Sequence, residues 1–119
     1  MAIVRRELEP LLANVVEAGS LIFTAGCIAD DTTLDVRGQT RQALADCERY
    51  LQLCGSDKSH LLHAVIWLAD IRQRDAMNEV WLDWVDRDHL PARACVENRM
   101  ADADCLVEIQ FHAVRAKAP

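Results

Sequence analysis

Residues 35–55, DVRGQTRQALADCERYLQLCG, carry the strongest structural signal in the chain. Small or apolar side chains recur in this segment at the three- and four-residue spacing of an amphipathic helix. They are Val36, Ala43, Leu44, Cys47, Leu51 and Cys54. Asp35 is a residue type that accepts a hydrogen bond from the first turn of a helix, and Gly55 is the type that often follows the last turn. We therefore predict a helix bounded by Asp35 and Gly55.

Short apolar segments on both sides of this helix predict β-strands. They cover residues 3–7, a hairpin at 14–23 with its turn at 18–20, and residues 61–68, 92–97 and 105–114. A second helix is predicted at about residues 73–85, with Asp70 as its N-cap. Its apolar stripe comprises Met77, Val80, Trp81, Trp84 and Val85. The order β-β-β-α-β-α-β-β predicts an α+β fold, and the lack of any linker or repeat predicts a single domain over residues 1–119.

The predicted strand at residues 61–68 is apolar on both faces. One face would carry Leu62, Ala64, Ile66 and Leu68, and the other would carry Val65 and Trp67. Two helices can cover one face of a sheet of this size, which leaves Val65 and Trp67 without cover. Because an uncovered apolar face commonly contacts another subunit, the sequence predicts an oligomer but not its number of subunits.

The composition is acidic, since 13 Lys and Arg residues against 19 Asp and Glu residues give a formal net charge of −6. A negative net charge repels phosphate and disfavours binding to nucleic acid or to an anionic membrane surface. No segment approaches the roughly 20 apolar residues that cross a membrane. Residues 1–10 lack the pattern of a signal peptide, so we predict a cytoplasmic protein.

The cysteine pattern favours free thiols. The five cysteines are Cys27, Cys47, Cys54, Cys95 and Cys105. None forms a C-x-x-C pair, which argues against a zinc site and against a disulfide framework. His60 and His63 would point to opposite faces of a strand and could not chelate one ion together. We therefore predict no metal site.

Strand alternation suggests where chemistry could occur. On residues 92–97, the small residues Ala92, Ala94 and Val96 would pack under the helices, so that Arg93, Cys95 and Glu97 would share the opposite face. On residues 105–114, Leu106, Glu108, Gln110 and His112 would form the non-core set. Arg93 and Glu108 are therefore predicted on the same, subunit-facing side of the sheet.

Two interpretations of Arg93 and Glu108 remain open at this point. They could form a structural salt bridge. Alternatively, the guanidinium could bind a substrate carboxylate through two hydrogen bonds, while Glu108 orients a water molecule or transfers a proton. Cys95 could act as a thiolate beside a cation, but no histidine partner is evident, and a buried small residue is the favoured interpretation. Asn78 is predicted as a polar residue at the edge of the second helix.

Five segments carry a family resemblance. They are LIFTAG at 21–26, QTRQAL at 39–44, MNEVW at 77–81, PARACVE at 91–97 and VEI at 107–109. In this order, over nearly the whole chain, they resemble the motifs of the RidA (YjgF-type) family, whose members are also described as L-PSP endoribonucleases. Each motif alone is weak, but the combination is specific.

The resemblance implies a chorismate-mutase-like α+β fold with a mostly antiparallel sheet and two helices on one face. It also implies a homotrimer with a central barrel and three clefts between subunits. Family members hydrolyse reactive 2-imino and enamine acids, such as 2-aminoacrylate, to 2-keto acids and ammonia without a cofactor. By position, Arg93 would hold the substrate carboxylate and Glu108 would position the attacking water. Gly26 and Cys95 would line the cleft, and Asn78 joins the candidate substrate-binding residues.

The sequence also departs from the family pattern. Leu12 stands where many members carry a tyrosine that reaches the cleft, and Cys27 stands where a glutamine is common. Residues 98–100 are Asn-Arg-Met in place of the usual segment. These changes predict a different cleft wall and a divergent substrate. Two other functions stay open: a non-catalytic regulatory or chaperone-like protein that binds small carboxylates, and, less favoured by the acidic composition, an endoribonuclease.

Overall fold

The computed structural model describes residues 1–116, which form one mixed sheet of six strands with two helices on one face. The strands are β1 Ile3–Leu8, β2 Ala13–Ala18, β3 Leu21–Thr24, β4 Leu61–Leu68, β5 Ala92–Glu97 and β6 Val107–Val114. The helices are α1 Val36–Leu53 and α2 Arg74–Trp84. The predicted α+β fold is confirmed. The predicted domain of residues 1–119 also includes residues 117–119, which lie outside the described residues.

The strand order is β1-β2-β3-β6-β4-β5. Every neighbouring pair is antiparallel except β4 and β5, which are parallel because α2 crosses between them. The C-terminal strand β6 therefore lies in the middle of the sheet, and β5 forms one edge. This mostly antiparallel arrangement under two helices is the chorismate-mutase-like fold that the sequence predicts.

Helix α1 begins and ends where the sequence predicts. The Asp35 carboxylate accepts a hydrogen bond from the amide of Gly38 at 2.9 Å, which satisfies a free donor of the first turn. Gly55 adopts a left-handed conformation with φ of 68°, which a residue with a Cβ adopts only with strain. The prediction for this helix is confirmed at both ends.

Helix α2 begins one residue later than predicted. The Asp70 carboxylate accepts from the amide of Arg72 at 3.0 Å and so caps a short 3₁₀ turn, Ile71–Gln73, that leads into the helix. Asp70 therefore caps this turn and not α2 itself. Neither helix within residues 1–116 is long and apolar enough to cross a membrane.

The predicted face of Leu62 is wrong. Leu61 pairs with Ala113 and His63 pairs with His112, so Leu62 is the extra residue of a β-bulge. The bulge reverses the alternation at this point: Leu61 is buried and Leu62 is 46% exposed. The rest of the predicted core face of β4 is confirmed, because its other three residues are fully buried under the helices.

The opposite face of the sheet, which we call the open face, is partly apolar. In one protomer it carries Val16, Leu21, Phe23, Val65 and Trp67 without cover from the helices. Leu21 is 42% exposed and Phe23 is 37% exposed. The structure thus confirms that this face is apolar, as the sequence predicts.

A buried charge cluster lies on the helix-covered side. Glu17 is 2% exposed and receives hydrogen bonds from Arg6 at 2.7 Å and from Arg115 at 2.7 Å. Burial alone would raise the pKa of Glu17, but the hydrogen bonds and charges of the two guanidinium groups outweigh it and lower that pKa. The cluster joins β1 and β2 to the chain end beyond β6.

Candidate functional site

Strand β5 presents its polar residues to the helices, contrary to the prediction. Arg93 pairs with Ala64 and Cys95 pairs with Ile66, and both partners are buried under the helices. The residues at 92, 94 and 96 lie on the open face and are exposed. Alternation separates the two sets correctly but does not tell which set faces the helices. At a sheet edge, a long polar side chain can face the helices and still reach solvent.

Two residues of α2 fix the guanidinium of Arg93. Its Nη1 atom donates to Oδ1 of Asn78 at 2.8 Å, and its Cζ atom lies 5.3 Å from the ring centroid of Trp81. Within residues 1–116 no carboxylate oxygen lies within 4.0 Å of its nitrogen atoms. Arg93 is therefore a positioned cation whose remaining donors are free to bind an anion.

Cys95 lies beside Arg93 on the same side of β5 and is half-buried. Burial raises the pKa of its thiol, and the charges of Arg93 and Arg74 oppose that rise without cancelling it. A protonated thiol is a poor nucleophile, so the structure favours a wall residue over a catalytic thiolate. We call Arg93, Asn78, Trp81 and Cys95 the Arg93 cluster.

The prediction missed Arg74. In α2, residues 74, 78 and 81 are spaced by one helical turn each and lie on one helix face. Because Asn78 and Trp81 contact Arg93, this helix face is directed toward β5. Arg74 precedes Asn78 of the MNEVW motif by four residues, which is about one helical turn. This spacing could have identified Arg74 once the motif was placed beside residues 92–97.

Glu108 lies on the open face of β6. It pairs with Trp67, whose side chain is on the same face. The loop after β3 passes directly against its carboxylate, so that a Cβ atom built on Gly26 would lie 1.9 Å from Oε2 of Glu108. Only glycine permits this approach. We call Gly26, Trp67 and Glu108 the Glu108 cluster.

The backbone holds the Glu108 cluster in place. The amide of Cys27 donates to the carbonyl of Ile109 at 2.7 Å, and the amide of Ile109 donates back to Cys27 at 3.0 Å. This isolated bridge fixes the loop that contains Gly26 against β6. Within one protomer, however, Glu108 and Arg93 lie on opposite faces of the sheet. The predicted juxtaposition is therefore wrong for a single subunit, and no salt bridge joins the two side chains among residues 1–116.

The departures from the family pattern fall in different places. The Cys27 side chain is buried in the core, where burial raises the pKa of its thiol to about 12. It therefore does not form a cleft wall, contrary to the prediction. Leu12 is 46% exposed in the turn between β1 and β2. The carbonyl of Asn14 accepts from the amide of Ala25 at 2.8 Å, so this turn lies at the same end of the sheet as Gly26.

Two cavities of the described residues lie away from Arg93 and Glu108. A groove of about 430 Å³ lies between the helices, and a cavity of about 550 Å³ lies beside residues 97–105. Neither contains Arg93 or Glu108, although residues 98–100 line the second. In the described part of the chain, no group of three or more His, Cys, Asp or Glu side chains is arranged to hold a metal ion.

Comparison with known proteins decides the family. Residues 7–115 match the family described as Endoribonuclease L-PSP. The chain belongs to this family. The RidA (YjgF-type) resemblance of the sequence is thereby confirmed, because L-PSP, YjgF and RidA are names for one group.

Relatives of the L-PSP family match over almost their whole length. The RutC family protein YoaB of Escherichia coli is 34% identical over 95% of this chain and 98% of its own length. A RutC family protein of Haemophilus ducreyi is 32% identical over 93% and 95%. The crystal structure of NMB1025 from Neisseria meningitidis, a member of the YjgF protein family, is 41% identical, with a TM-score of 0.96 over 99% of this chain and 98% of that one.

Proposed function

We propose that this L-PSP family member is a hydrolytic deaminase of reactive 2-imino and enamine acids. The observation that carries the proposal is the position of the Arg93 guanidinium. Asn78 and Trp81 hold this group in place, and its remaining N–H donors are available to bind an anion. A planar guanidinium suits a carboxylate because it can donate two parallel hydrogen bonds. Small 2-imino acids carry a carboxylate next to the reactive carbon.

The chemistry requires little from the protein. The imine carbon is electrophilic, so that a water oxygen adds to it while the C=N electron pair takes a proton at nitrogen. The carbinolamine nitrogen then takes the proton that the base accepted from water, the hydroxyl group loses its proton to solvent, and ammonia leaves to give a 2-keto acid. Arg93 holds the substrate, and Glu108 positions the water and accepts its proton, which together supply orientation and general base catalysis. The reaction is a hydrolysis, and we propose no cofactor for it.

Because the Arg93 cluster and the Glu108 cluster lie on opposite faces of the sheet in one protomer, we propose that each site is shared between two subunits. The Arg93 cluster of one protomer would face Glu108 of the partner subunit in a homotrimer with a central barrel. The apolar open face supports this assembly, because Val65, Trp67 and Phe23 would be covered in it. Trp67 lies in the Glu108 cluster, so the same contact would bury the apolar face and complete the site.

The family description itself raises a second candidate, an endoribonuclease. The net charge of −6 disfavours it, because an RNA backbone would be repelled. We also propose a cytoplasmic location, which five free cysteines support because reduced thiols are typical of a reducing compartment.

A coupled assay tests the proposed activity. An amino-acid oxidase generates 2-imino acids, and semicarbazide traps those that survive. We expect the protein to lower semicarbazone formation and Arg93→Ala to abolish this effect while the assembly stays intact. Arg72→Ala is the matched control, since it also removes one exposed guanidinium. Equal activity of Arg93→Ala and the unaltered protein would refute the site, and RNA cleavage without imine hydrolysis would favour the endoribonuclease.

Subunit mixing tests the shared site. Arg93→Ala and Glu108→Gln should each be inactive alone. After the two variants are unfolded together and refolded, mixed trimers contain some clefts with both residues intact, and activity should return. If the two residues act within one protomer, mixing cannot restore any site, and the shared-site proposal fails.

A further inference from the structure

The surface where α2 meets β5 at the contact of Asn78 with Arg93, which we call the groove, carries a second guanidinium group, that of Arg74. Arg74 precedes Asn78 by one turn on the same helix face, which places the two about 6 Å apart along the helix axis. Asn78 contacts Arg93, so Arg74 lies farther along the same groove. Burial raises the pKa of the Cys95 thiol, and the charges of Arg93 and Arg74 both oppose that rise.

Among the described residues Arg74, like Arg93, has no acidic partner, whereas Arg72 and Arg37 each have one. Arg72 binds Asp70 at 2.7 Å, and Arg37 binds Glu79 at 2.9 Å. In residues 1–116, the nitrogen atoms of Arg74 lie within 4.0 Å of no carboxylate oxygen. Two guanidinium groups without carboxylate partners therefore flank the half-buried Cys95.

The remaining acidic group at this end of the groove is occupied. Glu97 is the next residue of β5 on the helix-covered side, and its Oε1 atom accepts from the amide of Ile71 at 3.0 Å. This hydrogen bond holds the carboxylate at the start of the 3₁₀ turn. Cys95, which both guanidinium charges affect, is less polar and packs on the core.

We propose that the site takes 2-imino acids with a second carboxylate in the side chain, with Arg93 binding the carboxylate next to the imine and Arg74 binding the distal one. This substrate class rests on the proposed function and makes it narrower. The reaction stays the same, and its product is a 2-keto dicarboxylate. A monocarboxylate would leave Arg74 without an ion partner, whereas a dicarboxylate satisfies both cations.

Equilibrium binding of stable keto-acid products tests the proposal without turnover. We would measure 2-oxoglutarate and 2-oxobutyrate by calorimetry on the assembled protein. A second charge-assisted hydrogen-bonded pair predicts that 2-oxoglutarate binds about tenfold more tightly or better. Arg74→Met should remove this preference and leave 2-oxobutyrate binding unchanged. Arg72→Met, which removes the same charge two residues away, should change neither.

Three results would overturn the assignment: no preference in the unaltered protein, equal weakening of both ligands by Arg74→Met, or an equal loss of preference in Arg72→Met. Arg93→Met separates this failure from failure of the proposed function. If Arg93→Met abolishes binding of both ligands while Arg74→Met has no effect, the dicarboxylate proposal alone fails. If Arg93→Met binds both ligands normally, the carboxylate site itself is wrong.

Discussion

Gly26→Ala is the most informative single substitution for the proposed mechanism, because it displaces the Glu108 carboxylate and leaves its chemical identity unchanged. The added methyl group would lie 1.9 Å from Oε2 and 2.7 Å from Cδ of Glu108. Ordinary contact begins near 3.4 Å, so the carboxylate would have to retreat by about 1.5 Å. The bridge between Cys27 and Ile109 prevents the loop from moving away instead.

A displacement of this size should affect turnover far more than binding. Misplacement of a catalytic group by about 1 Å lowers rates by roughly 100-fold, so we expect kcat for imine hydrolysis to fall by about that factor. The substrate carboxylate is bound by Arg93, which Asn78 and Trp81 hold independently of Gly26, so binding of 2-oxobutyrate should change less than about threefold. The semicarbazide assay gives the first quantity, and calorimetry gives the second.

A double variant shows whether the effect passes through Glu108. If Gly26→Ala acts by displacing this carboxylate, adding it to Glu108→Gln should lower the residual kcat little further, because that variant already lacks the carboxylate. Normal turnover in Gly26→Ala would refute the role of Glu108 in its observed position. Fully additive losses would show that Gly26 acts by another route.

Three further predictions concern the remaining ionisable groups. Cys95→Ala should keep most of the turnover, because burial raises the pKa of the thiol and leaves it protonated; loss of activity in the semicarbazide assay would point to a thiolate. Glu17→Gln should lower the free energy of unfolding in urea by about 2 kcal/mol, at the low end for a buried ion pair because both guanidinium groups reach solvent. Hydrogen bonds lower the pKa of Asp86 from 3.8 to about 2, so its contribution to stability is full above pH 3.8 and is lost as the pH falls toward 2. Between pH 6 and pH 3, the free energy of unfolding in urea should therefore fall less in Asp86→Asn than in the unaltered protein. An equal fall in both proteins would contradict this.

Local signals explain what the sequence predicts correctly. Asp35 and Gly55 act within a few residues of themselves, so the ends of α1 follow from residue type alone. The same holds for the hairpin, whose turn precedes Leu21, and for the alternation of β6. The family motifs add Arg93 and Glu108 as candidates because these positions lie in specific segments of the sequence.

Long-range pairing explains what the sequence does not predict. The bulge at Leu62 depends on the register between β4 and β6, which no local pattern contains. The face of Arg93 depends on the parallel pairing of β5 with β4 and on the indole of Trp81. For the same reason Arg74, in an exposed position of a helix, gains significance only when α2 is placed against β5.

The position of β6 in the sheet has a consequence for how the protein is made. Residues 107–114 are synthesised after the other five strands, yet they pair with both β3 and β4 and so join the two halves of the sheet. Until they emerge, the N-terminal strands and the β4-α2-β5 unit have no backbone contact with each other through the sheet. Long-range pairing of this kind slows folding, so the chain depends on β6 to close the core. That strand also carries Glu108, so a chain that stops before residue 107 would lack both the central strand and the carboxylate.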